Sequence, residues 1–380
     1  MKQVIRLLRE ADITVNGDQP WDIHIKNKKV YNRVIRKGSL GLGESYMDGW
    51  WEVEQLDAFF DRVLRSKLDE KFTRTPQNMI RYLKAWALNL QTKSKASSSI
   101  IHHYDIGHDL YRAMLDKRMV YTCAFWDNAT TLDEAQEAKL DLICQKLNVK
   151  SDDHILDIGC GWGSFARFAA EKYGARVTGV TISKDQAKYG RQLCEGLPVE
   201  IRLQDYRDVS EKYDKIVSLG MMEHVGQKNY KTYLNTAARA LKDDGLFLIQ
   251  VIGRNTSAYK ADAWISKYIF PNGMLPSIKQ IGKALENTFV MEDWHNFGPY
   301  YDKTLMAWFD NFDHHWDELK NNYSERFYRM WKYYLLSCAG AFRSRSNQLW
   351  QIVLSKEGIE GGYQPLRYSE LGAKEHMMEK

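Results

Sequence analysis

The chain has 380 residues, room for two domains with a sizeable core, and its 44% hydrophobic and 27% charged residues are those of an ordinary soluble protein. Its 54 Lys and Arg against 49 Asp and Glu leave a formal charge of +5, too mild for a dedicated nucleic-acid binder but suited to an anionic membrane leaflet. The five cysteines (Cys123, Cys144, Cys160, Cys194, Cys338) form no CxxC pair, which argues against a disulfide framework or a metal site and for a reducing cytoplasm.

Met1 to Asn16 carries charges throughout, unlike a secretory signal. No run of about 18 apolar residues is present, so any membrane contact is expected to be peripheral. Val4 to Ala11 predicts a short helix, and Trp21 to Ile25 and Val30 to Ile35 predict short strands. Residues 38–51 (GSLGLGESYMDGWW) are glycine-rich, but no Gly-Lys-Ser/Thr follows. They predict a turn leading into a tryptophan-anchored helix. Residues 91–99 (QTKSKASSS) read as a flexible linker. The expected division is therefore a small N-terminal α+β domain over 1–90, a linker over 91–99 and a main domain over 100–380.

From about residue 137 the pattern alternates. Helices are predicted over 137–147, 164–173, 184–195 and 229–241, and strands over 154–159, 176–182, 199–204, 214–219, 246–252 and 348–354. This is a doubly wound α/β fold with a mainly parallel sheet. Residues 254–345 hold helices and many aromatics, which suits a cover over the site. In such sheets ligands bind beyond the carboxyl ends of the strands, so the loops there carry the chemistry.

After the first of these strands comes LDIGCGWG (156–163), a strand that enters glycines at 159, 161 and 163 and then a helix. Glycine lets a ligand approach the backbone closely. The GxGxG spacing is not the dinucleotide spacing, because Ser164 stands where the last glycine belongs; it suits S-adenosylmethionine (SAM) better than NAD. After the second strand, Thr181, Ser183 and Gln186 replace the acid that NAD enzymes place there. They offer uncharged hydrogen bonds to a ribose or adenine edge, and Ser183 also suits a helix N-cap. After the third, Gln204 and Asp205 suit an adenine amino group, and Tyr206 suits stacking; a solvated turn is the alternative. After the fourth, Glu223 stands where substrate meets the cofactor methyl, suited to stabilising positive charge or holding a base, or else to a capping role. Phe327, Trp331, Leu335, Cys338 and Phe342 recur at helical spacing, which reads first as core packing and second as an acyl channel. Arg326, Arg329, Lys332, Arg343 and Arg345 nearby are candidates for lipid phosphates or for plain solvation.

The chain resembles the bacterial cyclopropane-fatty-acyl-phospholipid synthase family of class I SAM-dependent methyltransferases. The matching blocks are GSLGLGESYMDGWW, HYDIG (103–107), LDIGCGWG, GVTIS (179–183), LQDYRD (203–208), EHVG (223–226), KYIFPNG (267–273), MEDWHNFG (291–298), LMAW (305–308) and CAGAF (338–342). The resemblance implies a class I methyltransferase domain, a lipid-contacting N-terminal domain, a homodimer, and methylene transfer from SAM to a cis double bond of acyl chains in membrane phospholipid. It implies SAM contacts at Tyr121, Thr122, Asp157, Gly159, Gly161, Gly163, Thr181, Ser183, Gln186, Gln204, Asp205 and Tyr206. It also implies a bicarbonate ion held by Cys123, Glu223, Tyr301 and the backbone near Ile252, with a further side chain, usually His, at position 250. Here that residue is Gln250, which donates a hydrogen bond but takes no proton at neutral pH. A rival assignment makes Cys338 catalytic, although the reaction needs no protein nucleophile and an apolar stripe disfavours a thiolate.

An alkene is a feeble nucleophile, so a sulfonium methyl donor fits, and the resulting carbocation needs a dry site and aromatic faces, with Tyr301 and Trp126 as candidates. The expected location is cytoplasmic, peripheral on the inner face of the membrane. The alternatives are a SAM methyltransferase making methyl-branched lipids or methylating a small amine, and a lipid-surface binding protein with a vestigial Rossmann domain.

Overall fold

The computed structural model describes residues 2–68, 107–258 and 261–366. The 91–99 linker and residues 103–106 of the HYDIG block lie outside the described residues. Strands β1 (His24–Ile25) and β2 (Trp51–Glu52) pair antiparallel near the N-terminus. The main sheet is built from β3 (His154–Ile158), β4 (Arg176–Thr181), β5 (Val199–Leu203), β6 (Tyr213–Leu219), β7 (Leu241–Arg254), β8 (Val290–Asn296) and β9 (Asn347–Ser355). Their order is β5-β4-β3-β6-β7-β9-β8. The pairs from β5 to β7 are parallel, and β9 runs antiparallel to both of its neighbours.

Alternation along each strand sorts side chains to two buried faces. Ile155, Val177, Ile201, Val217 and Leu248 share a core with the helices Leu132–Lys146, Ser164–Tyr173 and Lys184–Leu193. Leu156, Ile158, Val180, Ile216 and Phe247 share the opposite core with Tyr230–Ala240 and Ile278–Leu285. Burial on both faces explains the near-continuous apolar strands in the sequence. The expected doubly wound, mainly parallel sheet is the architecture found. Chain order reverses at β3, which pairs with β4 on one side and β6 on the other, so the crevice opens beyond its carboxyl end.

Three local readings change. Val30 to Ile35 lies in a helix, Lys29–Lys37, which buries Val30 and Tyr31; its β-branched content imitated a strand. In residues 38–51 the turn that leads into the helix is Gly38 alone, most of the glycine run is itself helical (Ser39–Met47), and a second turn follows at Asp48 and Gly49. A Cβ at Gly41 would lie 2.4 Å from the Arg33 carbonyl oxygen and one at Gly43 would lie 2.3 Å from the Trp264 ring, so these glycines serve close packing. The helix expected from 137 begins at Leu132, behind a Thr131–Glu134 capping box. Strand β8 was hidden within the expected cover because its inward residues, Asp293 and His295, are polar while Val290 and Met291 are exposed.

The N-terminal segment packs directly on the long helix Glu325–Arg343 and shares one core with it. Gly340 makes the approach possible, since a Cβ there would stand 2.6 Å from the Asp57 carbonyl oxygen. The arginines of this helix are engaged by acids, while Lys332 stands over the Phe309 and Tyr328 rings. Arg326 pairs with Asp48 at 3.1 Å, Arg329 with Glu52 at 2.8 Å, and Arg343 with both Asp57 and Asp302. They join two parts of the chain and are not left free for lipid phosphates.

Candidate active site

A cavity of about 1110 Å³ runs from the glycine loop to the N-terminal helices. Its polar end lies over the carboxyl edge of β3, β4, β5 and β6. Gly159, Gly161 and Gly163 all have positive φ (78°, 56° and 82°), a backbone path open to glycine, and the last caps the helix Ser164–Tyr173. Asp157, Gly159 and Gly161 line the cavity. So do Tyr121, Thr122, Thr181, Gln186, Gln204, Asp205 and Tyr206. The Thr181 hydroxyl donates to the Gln186 side-chain carbonyl at 2.7 Å, while Ser183 caps its helix by accepting from the Gln186 N–H at 3.3 Å. Asp205 accepts from the Arg207 guanidinium and N–H. The Tyr206 ring packs edge-on against Tyr233 and is almost wholly buried.

Deeper in, Glu223, Ile252, Tyr301 and Cys338 line the same space. One Glu223 oxygen, Oε1, accepts from the Ile252 N–H at 2.7 Å. The other, Oε2, is buried and has no hydrogen-bond partner among the described residues. Burial pushes this carboxyl up to about 7. Burial also raises the Tyr301 phenol well above its usual range, reinforced by Cys123, Tyr121, Glu223 and Cys338. The neighbouring His224 imidazole is held down to about 4 by burial and is neutral. Burial pushes the Cys338 thiol up to about 12, so it is no thiolate at neutral pH.

Two residues expected at this point stand behind the wall. Gln250 accepts from the Gln351 amide at 2.9 Å and donates to the Cys123 carbonyl at 3.4 Å. The Cys123 thiol is fully buried, donating to the Ala124 carbonyl at 3.2 Å beside the Thr304 hydroxyl. Trp126 gives its indole N–H to Thr304 at 3.0 Å and is not among the lining residues; Phe270, Trp264, Tyr333 and Tyr334 supply the aromatic faces. Reading the sequence missed these rings and a buried lysine, Lys139. Lys139 falls on the buried stripe of its helix with Ala135, Leu142 and Ile143, a charge on an apolar face that was legible as a signal.

Residues 91–352 match the family model described as mycolic acid cyclopropane synthetase. The chain belongs to this family. It is 52% identical over 361 residues to the cyclopropane-fatty-acyl-phospholipid synthase of Escherichia coli, covering 95% of this chain and 94% of that one. Among solved structures it resembles the cyclopropane synthase MmaA2 from Mycobacterium tuberculosis (TM-score 0.65, 29% identity, 71% of this chain and 100% of that one). It also resembles the mycolic acid cyclopropane synthase CmaA1 complexed with S-adenosylhomocysteine (SAH) and CTAB (TM-score 0.64, 31% identity, 68% and 98%). This cyclopropane synthetase is thus a class I methyltransferase in fold and takes SAM as its co-substrate. No described helix is long and apolar enough to cross a membrane.

Proposed function

We propose that this enzyme inserts a methylene from SAM into the cis double bond of an acyl chain carried by membrane phospholipid. The observation that carries the reading is the continuity of the cavity. One end is the glycine loop, and the other is walled by Val4, Leu8, Val30, Val34, Phe60 and Val63 of the N-terminal segment. That is room for a nucleoside at a polar end and a hydrocarbon chain beyond it.

SAM supplies a methyl group on a positively charged sulfur, electrophilic enough for an alkene. The proposed holders are the lining residues Tyr121, Thr122, Asp157, Gly159, Gly161, Thr181, Gln186, Gln204, Asp205 and Tyr206, with Gly163 and Ser183 shaping the loops. The rings of Tyr301, Tyr334 and Phe270 keep water out and stabilise positive charge on the acyl chain, by about 2 kcal/mol for a desolvated cation over a ring.

The same residues fit a bicarbonate ion, which would supply the base for the proton lost on ring closure. The fit rests on the unpartnered Oε2 of Glu223. A carboxyl raised to about 7 is often protonated, so Oε2 donates to an oxyanion instead of repelling it. Tyr301 and the Ile252 backbone complete the proposed cradle, with Gln250 and Cys123 supporting it from behind.

The enzyme is further proposed to work on the inner face of the cytoplasmic membrane, with residues 1–90 contacting lipid, 91–99 as linker and 100–380 as catalytic domain. A homodimer rests on the family resemblance, and sedimentation of the full chain tests it. The test of function is incubation with SAM and vesicles of cis-monounsaturated phospholipid, followed by mass spectrometry and proton NMR of the lipids. A gain of one methylene with upfield cyclopropane protons is expected. A vinyl or methyl signal at the same mass would replace this reading with lipid methylation.

A further inference from the structure

We propose that Lys139 is a positioning residue for SAM, fixing Thr122 as a hydrogen-bond donor to the carboxylate of the amino-acid end. Lys139 is fully buried in the helix Leu132–Lys146, and it lines the cavity. Its ammonium donates to Thr122 Oγ1 at 2.9 Å. An ammonium has three N–H groups and no acceptor, so Thr122 must accept there and its own hydroxyl hydrogen points elsewhere. Thr122 also lines the cavity, and its backbone carbonyl is held by the Gln136 amide at 2.8 Å, so the hydroxyl is fixed as an outward donor.

The charge around Lys139 is incomplete. Asp116, Cys123 and Asp157 are the titratable groups that face it. Among the described residues, none of them stands within ion-pair distance of the ammonium. Asp116 spends its carboxylate on the Val120 and Arg118 N–H groups, at 2.8 and 2.9 Å. Burial lowers the ammonium to about 8, still largely charged at neutral pH. A buried cation with one hydrogen bond and no ion pair is costly, and an anion arriving in the cavity offsets that cost.

The place fits the carboxylate end. Gln204 and Asp205, suited to the adenine, stand beyond β5 at one side of the crevice. Thr122 stands at the other side, 3.1 Å from where a Cβ of Gly220 after β6 would be. A ligand laid along the strand ends brings its amino-acid end to Thr122 and Lys139, which line that side of the cavity.

The inference rests on the SAM-site assignment and is tested by calorimetry on the full chain with two probes. SAH keeps the amino-acid end, and 5′-methylthioadenosine lacks it. The wild type is expected to prefer SAH, and Lys139→Met to lose about 10- to 100-fold in SAH affinity with methylthioadenosine affinity unchanged. Equal loss for both probes, or no loss, overturns the inference. If that variant fails to fold, Thr122→Val is read with the same two probes, and an unaltered preference for SAH overturns it. A wild type that binds neither probe would overturn the site assignment itself, a distinct failure.

Discussion

The Glu223 carboxylate is split in role by Ile252: the backbone N–H of Ile252 takes one oxygen at 2.7 Å, and the other oxygen is left buried without a partner. Such an unpaired atom in a cavity wall is costly unless something arrives to meet it. Glu223→Gln keeps the acceptor for Ile252 but replaces an acid with an amide. Ring formation is expected to fall by about 10²- to 10⁴-fold while SAH affinity stays within about threefold. Lipid mass spectrometry and calorimetry together check this, and unchanged turnover would falsify the role given to Glu223.

The same residue predicts a pH dependence of stability. Its carboxyl is raised from 4.5 to about 7 in the folded protein. Between those values the folded state binds more protons than the unfolded one, so this group's contribution to stability falls as pH rises through the window. Glu223→Gln removes that loss. It should gain thermal stability relative to wild type as pH goes from about 5 to 8, by on the order of 2–3 kcal/mol. Melting curves for both proteins across this range decide; parallel curves would refute it.

Tyr301→Phe removes one hydroxyl from the cavity that Glu223 and Cys338 also line. The ring remains to face a cation, but the proposed base loses a partner. The expected outcome is less ring product and a larger share of methylated alkene, resolved by proton NMR of the extracted lipids. A product mixture like that of wild type would remove Tyr301 from the proposed cradle.

Cys338→Ala is expected to keep ring formation within about threefold of wild type. A thiol pushed up to about 12 by burial is not a nucleophile at neutral pH. Abolished turnover, with folding intact by circular dichroism, would restore the rival assignment.

Gly340→Ala should destabilise the protein by about 1–3 kcal/mol, because the added methyl meets the Asp57 carbonyl oxygen at 2.6 Å and Phe60 Cβ at 2.7 Å. Denaturant titration measures this. A neutral result would mean that the helices Leu56–Arg65 and Glu325–Arg343 separate easily.

What was legible in the sequence was local. The strand, glycine turn and helix around Gly159, Gly161 and Gly163 are set by neighbouring residues, as is the Ser183 cap. What was hidden depended on distant partners. Arg326 and Arg329 looked like free cations because Asp48 and Glu52 lie far upstream in the chain, 278 residues away for Arg326 and Asp48. Gln250 was named through the family resemblance alone, and nothing near it in sequence announced its bond to Gln351. The polar inward face of β8 hid a strand because Lys146, on a helix far upstream, lies 3.7 Å from Asp293.

The apolar wall formed by Val4, Leu8, Val34 and Val63 has a thermodynamic consequence. A fatty tail leaving the bilayer for such a space exchanges one oil-like solvent for another, so transfer is nearly neutral instead of costing about 0.8 kcal/mol for each CH₂ exposed to water. Tail length should then weigh little on how tightly a lipid is held. Selectivity would instead be geometric, set by how far the double bond sits from the headgroup compared with how far Glu223 and Tyr301 sit from the entrance.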